Sequence, residues 1–312
     1  MRPLRGIILK LCSVIVFIVM ASLIKAAATH VPPGELVFFR SFFAIPVIVV
    51  WLILQGQLAT GFHAINPLAH VWRGLMGTLA MGMVFAGLAY LPLPEVTAIG
   101  YASPLMVVIF AAMFLGEEVR AFRIAAVVLG LLGVLIVLSP RLSIAPGLVG
   151  GQTGAGQTET LGAMLVLCGA LFAALAQVFV RKLVLTETTT SIVFYFSTTS
   201  TVLALITVPF GWVWPTAFEA ALLVGAGLLG GVGQILLTSA YREADASLVA
   251  PFDYASMLFA LGIGFFVFDE VPTLTMLAGA ALVVAAGILI IWRERKLGLE
   301  RAKARTAMTP QG

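Results

Sequence analysis

The chain has 312 residues, 61% of them apolar and 10% charged, with a net charge of +4. A soluble domain carries about 25% charged residues, so a soluble protein is excluded and a polytopic helical membrane protein is implied. Continuous rather than alternating apolar runs exclude a β-barrel, and a positive balance made mostly of loop residues implies no nucleic-acid partner.

A bilayer needs about 20 apolar residues per helix, and ten such spans follow one another: 6–28, 35–55, 71–91, 94–115, 121–139, 161–182, 190–210, 217–240, 246–268 and 273–292. Before the first lie Arg2, Arg5 and Lys10, and Ala26-Ala27-Ala28 imitates a signal-peptidase site. The run from Gly6 is nevertheless long enough to span, so it is read as a helix that stays. Cys12 here and Cys168 in span 6 sit in apolar runs away from other metal-ligand types and read as small core residues, neither a disulfide nor a metal site.

Lys25 closes span 1 and Glu35 opens span 2, a candidate surface pair, with Lys25 free to snorkel. Arg40 lies about 8 Å into span 2 by helix rise. It either snorkels or draws a carboxylate or phosphate into the mouth. Span 3 carries Gly74, Gly77, Gly82 and Gly87, and span 8 carries Gly225, Gly227, Gly230, Gly231 and Gly233, the small residues that let helices pack closely in lipid. The same helices are also placed to slide or bend. Gln177 in span 6 and Gln234 in span 8 are polar candidates for a substrate or a neighbouring helix.

Between spans 5 and 6 runs a Gly-rich linker, 140–160. Its Gly151 to Thr158 stretch imitates a phosphate-binding loop, but Gln157 replaces the lysine and no strand precedes it. With no nucleotide motif and no other cofactor or metal signature, no step driven by ATP hydrolysis is expected.

Tyr101-Ala102-Ser103 in span 4 recurs as Tyr254-Ala255-Ser256 in span 9, at an offset of 153 residues shared by Glu117 and Glu270. Residues 1–139 and 161–292 are thus two copies of one unit, followed by a basic tail, 293–312. Five spans per copy is an odd number, so the copies are inverted, the symmetry of secondary transporters with a midplane site between repeats. With the N-terminus in the cytoplasm, 15 of the 18 basic residues fall on cytoplasmic segments, Lys10 and Arg73 included. Both termini are therefore expected inside. Glu117, Glu118, Asp269 and Glu270 read as helix boundaries, and Trp72, Trp212, Trp214 and Trp292 as an aromatic belt.

Ser103-Pro104, the acidic ends of spans 4 and 9, Phe38-Phe39-Arg40-Ser41 and Ser247-Leu248-Val249-Ala250-Pro251-Phe252 together resemble the EamA-type subfamily of the drug/metabolite transporter superfamily, over about residues 5–293. The resemblance implies ten transmembrane helices as two inverted five-helix repeats in a bacterial inner membrane. It also implies a central cavity among spans 1, 3, 4, 6, 8 and 9, with spans 5 and 10 peripheral. The family carries vitamins, amino acids, nucleosides, S-adenosylmethionine and drugs, and the chain is similar in general look to bacterial riboflavin importers.

Polar groups inside a membrane are default site candidates. Asp253, about 10 Å into span 9, suits proton coupling or a basic substrate if it is buried alone, and otherwise is a structural acceptor for a nearby Tyr or Ser or sits in a wet inner vestibule. Tyr101 and Tyr254 with Ser103 and Ser256 offer rings for a planar ligand and hydroxyls to orient it, or are tyrosines with their hydroxyls satisfied. The expected activity is secondary transport of a small organic metabolite by alternating access, leaning to riboflavin. The alternatives are an amino-acid exporter or an S-adenosylmethionine exchanger that sets Asp253 against the sulfonium. An intramembrane enzyme is disfavoured because His30, His63 and His70 lie in or beside loops, and a non-transporting receptor would leave the matched polar groups idle. Gly130, Gly133, Gly279 and Gly287 on the peripheral spans leave a homodimer open.

Overall fold

The computed structural model describes residues 3–56, 61–62, 64–115, 121–142, 154–184, 186–243 and 250–308. The described residues form helices and turns with no strand. Span 1 is α1 (Pro3–Ala27), and span 2 is α2 (Pro33–Phe42) and α3 (Ala44–Leu54), broken at Phe43. Span 3 is α4 (Pro67–Leu88); span 4 is α5 (Leu93–Gly100) and α6 (Ala102–Leu115), broken at Tyr101; span 5 is α7 (Ala121–Leu142). Spans 6 to 8 are α8 (Gly154–Leu183), α9 (Thr189–Leu205) and α10 (Ala217–Glu243). A 3₁₀ turn, Ala250–Tyr254, leads into α11 (Ala255–Phe268) as span 9, and α12 (Leu274–Met308) is span 10. Six stretches are long and apolar enough to cross a membrane and four shorter apolar helices complete ten. Five spans precede residues 143–153 and five follow, so the second set runs opposite to the first.

The helix break in span 4 follows from proline. Pro104 has no N–H to give the Gly100 carbonyl, and its ring crowds that carbonyl. The helix therefore stops at Gly100, and Tyr101 (φ −67°, ψ −6°) joins the halves. In the second copy Tyr254 (φ −68°, ψ −16°) stands between the 3₁₀ turn and α11. The repeated tyrosine thus marks a helix restart in both halves. Discontinuous helices at matched positions are the usual seat of transporter sites.

Glycine sets the helix spacing. On one side of α10, a Cβ at Gly231 would come within 3.0 Å of the Ala44 carbonyl, and on the other, one at Gly233 within 2.8 Å of Phe17. Gly133 of α7 and Gly279 of α12 meet directly, each Cβ position within 2.8 Å of the other's carbonyl. Gly130 lies against Leu105 and Gly287 against Tyr254. All four glycines of the peripheral spans are therefore used inside one chain, not on a face open to a second copy.

One expectation is corrected. Cys12 and Cys168 are free but exposed, not core. Helices in lipid are apolar on the outside as well, so an apolar neighbourhood does not distinguish the two faces. Helix reaches into both ends of the 140–160 linker, since α7 runs to Leu142 and α8 begins at Gly154. The basic tail continues α12 as helix to Met308. Glu117, Glu118, Gly151 to Thr153 and Ser247 to Val249 lie outside the described residues.

Candidate functional site

The repeated motifs meet. The Tyr101 and Tyr254 rings pack edge to face, centroids 5.1 Å apart at 69°. The Tyr101 hydroxyl bonds Ser256 Oγ at 2.6 Å, and Ser256 Oγ donates to the Asp253 carbonyl at 2.6 Å. Both tyrosines are buried, with the Tyr254 hydroxyl against Gly287. Each ring is the other's partner, and neither offers an open face to a planar ligand in this conformation. Ser103 is buried with its Oγ unpartnered. Gln234 is half-buried and Gln177 exposed.

Asp253 is not alone. Its carboxylate meets Lys10 of α1 at 2.6 Å, with the Lys10 side chain 2% and the Asp253 side chain 46% exposed. Lys10 is therefore not a loop cation but a buried one, one turn or more inside α1. At the opposite end of α1, Lys25 meets Glu270 at 2.8 Å and also donates to the Leu91 carbonyl at 2.7 Å. The expected Lys25–Glu35 pair does not form, because Glu35 turns away to accept the Val213 N–H at 3.1 Å. Glu270 does more than end a helix. Asp269 takes a left-handed conformation (φ 54°), which Asp tolerates, and the Glu270 N–H then bonds the Gly264 carbonyl at 2.9 Å. That turn sends the Glu270 side chain onto α5, where its other oxygen accepts the Leu93 N–H at 2.9 Å. One carboxylate so holds α1, α5 and α11 together.

Arg40 does not snorkel. It is 2% exposed, and its guanidinium carbon lies 5.3 Å from the Phe196 ring centroid of α9. Arg73, expected on a cytoplasmic segment, is 8% exposed within α4 and lies over the same ring at 3.5 Å. Nε and Nη1 of both arginines are buried without a partner. Among the described residues neither forms an ion pair. Span 3 read as 71–91 puts Arg73 at its cytoplasmic edge; α4 begins four residues earlier, at Pro67, which sets Arg73 a further turn inside the bundle.

On the face that carries the chain termini, Glu187 accepts the Ile65 and Asn66 N–H groups at 2.7 and 2.8 Å and faces His70 at 3.4 Å. Burial pushes its carboxyl up, but those two backbone donors and His70 outweigh burial and hold it below the usual carboxylate range. Asn66 in turn caps α4 by accepting the Ala69 N–H at 3.2 Å.

Comparison with known proteins shows what kind of bundle this is. The model of the EamA-like transporter family matches residues 4–139 and again 160–292. The pseudopaline exporter CntI of Pseudomonas aeruginosa is 31% identical, over 91% of this chain and 95% of its own. The S-adenosylmethionine uptake transporter of Rickettsia prowazekii is 28% identical over 94% of each chain. The riboflavin transporter of Rhizobium johnstonii is 29% identical over 85% of this chain and 83% of its own. A protein of known crystal structure, 20% identical, shares the fold with a TM-score of 0.65 over 94% of this chain and 98% of its own.

Proposed function

The chain belongs to the EamA-like transporter family of small-molecule carriers, and from that membership we propose that it moves an organic metabolite across a bacterial cytoplasmic membrane by alternating access. The observation that carries the mechanism is the pair of ion bridges between α1 and span 9. Lys10–Asp253 closes one end and Lys25–Glu270 the other. The two lysines are 15 residues apart, about 22 Å along the helix. A carrier must open one end while the other stays shut. Each bridge is a gate, and transport breaks them in turn.

Two motives for particular substrates weaken. Riboflavin was favoured for stacking on Tyr101 and Tyr254, which pack on each other. An S-adenosylmethionine sulfonium was set against Asp253, which Lys10 occupies. Relatives named for both compounds keep both in the test. The same reading keeps both termini in the cytoplasm, on the distribution of basic residues. With Lys10 and Arg73 taken out of the loop count, 13 of the 18 basic residues still lie on the terminal side.

The test is flux of labelled S-adenosylmethionine, riboflavin and an amino-acid panel into and out of proteoliposomes. A Lys10→Cys/Asp253→Cys disulfide and a Lys25→Cys/Glu270→Cys disulfide are each expected to stop flux until reduced. Flux that ignores either lock sinks the gating scheme, and no flux for any compound sinks the transport assignment for these substrates.

A further inference from the structure

We infer that Arg40 and Arg73 form a binding site for the carboxylate end of an organic anion, held over Phe196 inside the membrane. The inference rests on the transporter assignment above and names the chemistry of its cargo.

The placement starts with topology. α2 and α4 run in opposite directions, so Arg40 and Arg73 enter the bundle from opposite faces. Their side chains reach inward and converge on one ring, at 5.3 and 3.5 Å from its centroid. Phe196 is itself 4% exposed. Space for the guanidinium groups is left by glycine. A Cβ at Gly77 would stand 2.6 Å from Arg73 Nη1 and 2.7 Å from the Phe196 ring, and one at Gly230 would stand 3.0 Å from Arg40 Nε.

The energetics leave the arrangement incomplete. A charge in the membrane interior is costly and is normally paired or used. Here two charges of one sign act on each other, and among the described residues no carboxylate answers them. The face of Phe196 attracts a cation, but weakly compared with the loss of water around it. Ser41 and Ser197, next in sequence to Arg40 and Phe196, are both 0% exposed with unpartnered hydroxyls. Donors of this kind select an acceptor-rich anion.

The geometry of the donors selects its class. Each guanidinium presents a planar fork that matches the two oxygens of a carboxylate, and an ammonium would not. One carboxylate spanning both forks neutralises one of two charges. A dicarboxylate neutralises both and is the better ligand. Riboflavin carries no carboxylate and lacks the group this site requires, whereas S-adenosylmethionine and amino acids carry one.

The experiment uses purified full-length protein in detergent, with thermal unfolding read against succinate, S-adenosylmethionine, riboflavin and inorganic phosphate. Succinate is expected to raise the unfolding temperature at millimolar concentration, S-adenosylmethionine less so, and riboflavin not at all. Arg73→Met is expected to unfold at a higher temperature than wild type without ligand, since it removes a repelled, unpaired charge, and to lose the succinate response. Arg73→Lys keeps the charge but is expected to bind succinate about tenfold more weakly, having lost the fork. If Arg73→Met does not fold, Arg73→Lys and wild type still decide the matter. A wild type indifferent to every carboxylate overturns the site, and so does an Arg73→Met protein that is less stable yet still responds to succinate. A response to phosphate alone replaces the carboxylate with a phosphoryl ligand and overturns the class named here. In proteoliposomes, S-adenosylmethionine flux undiminished in Arg73→Met sinks the site while leaving the transporter intact, whereas absent wild-type flux bears only on the transport assignment.

Discussion

Along α1 every buried cation has its acid: Lys10 meets Asp253 and Lys25 meets Glu270. At Phe196, two cations from α2 and α4 are buried as deeply and lie against an aromatic ring, and among the described residues no carboxylate pairs with either. The physics of the two regions differs in sign. Breaking a buried pair strands its partner and destabilises, whereas removing an unpaired charge relieves the fold. Charges of the first kind hold a conformation, and charges of the second kind are kept for something that arrives.

The largest expected effect falls on Glu270, which binds Lys25 and the Leu93 N–H at once. Glu270→Ala strands a lysine that is 13% exposed and leaves α5 uncapped, with a loss of about 3 kcal/mol. A fall in unfolding temperature larger than for any other variant named here is the readout. The double variant Lys25→Met/Glu270→Leu should recover part of the loss, because no charge is then stranded. If the double variant is as unstable as Glu270→Ala, the bridge is not what matters there. Arg73→Met moves in the opposite direction, with a gain of about 1 kcal/mol in the ligand-free protein. Equal signs for Glu270→Ala and Arg73→Met would erase the distinction between the two regions.

Lys10→Met sharpens the comparison from within the paired class. Lys10 is 2% exposed but Asp253 is 46% exposed, so water can solvate the carboxylate left behind. The expected loss is only about 1 kcal/mol, which equilibrium unfolding resolves from the Glu270→Ala value. The functional effect should be larger than the structural one. With one gate weakened, the carrier should favour the conformation open at the terminal face, and a cysteine introduced near Asp253 should label faster.

The spans and the repeat were open to reading because both are carried by pattern. A run of about 20 apolar residues declares a helix in lipid, and Tyr-Ala-Ser at residues 101 and 254 declares the duplication. The partners of the charges were not legible. Lys10 and Asp253 are separated by most of the chain, and nothing local says that they touch. Arg73 was hidden by four residues of error in the start of α4, which put a buried guanidinium at the cytoplasmic edge of its span. Lys25 was read against Glu35, its neighbour in sequence, while the left-handed turn at Asp269 that aims Glu270 leaves no signal before the fold is known. The tyrosines were found by repetition, yet repetition did not tell whether they face a ligand or each other. That is a matter of packing depth, and an apolar sequence on every side of a helix conceals it.

An effect of similar size tests a paired acid outside the membrane. Glu187 is held below the usual carboxylate range by the Ile65 and Asn66 N–H groups and His70. A depressed carboxyl contributes stability above its unfolded value, about 4.3, and loses it as pH falls through the lower folded value. Between neutral pH and about pH 5 its contribution should therefore be constant. Glu187→Gln should lower stability by about 1 kcal/mol at neutral pH and flatten the acid limb of the stability curve below about pH 4. Unfolding temperature measured from neutral to acid pH in both proteins gives the difference directly. A wild-type curve that parallels Glu187→Gln through the acid limb would mean that Glu187 is not the acid holding the α4 entry to the α8–α9 turn. A difference that closes as pH falls marks it as paired in the same sense as Glu270, by donors fixed in the fold and not by a ligand.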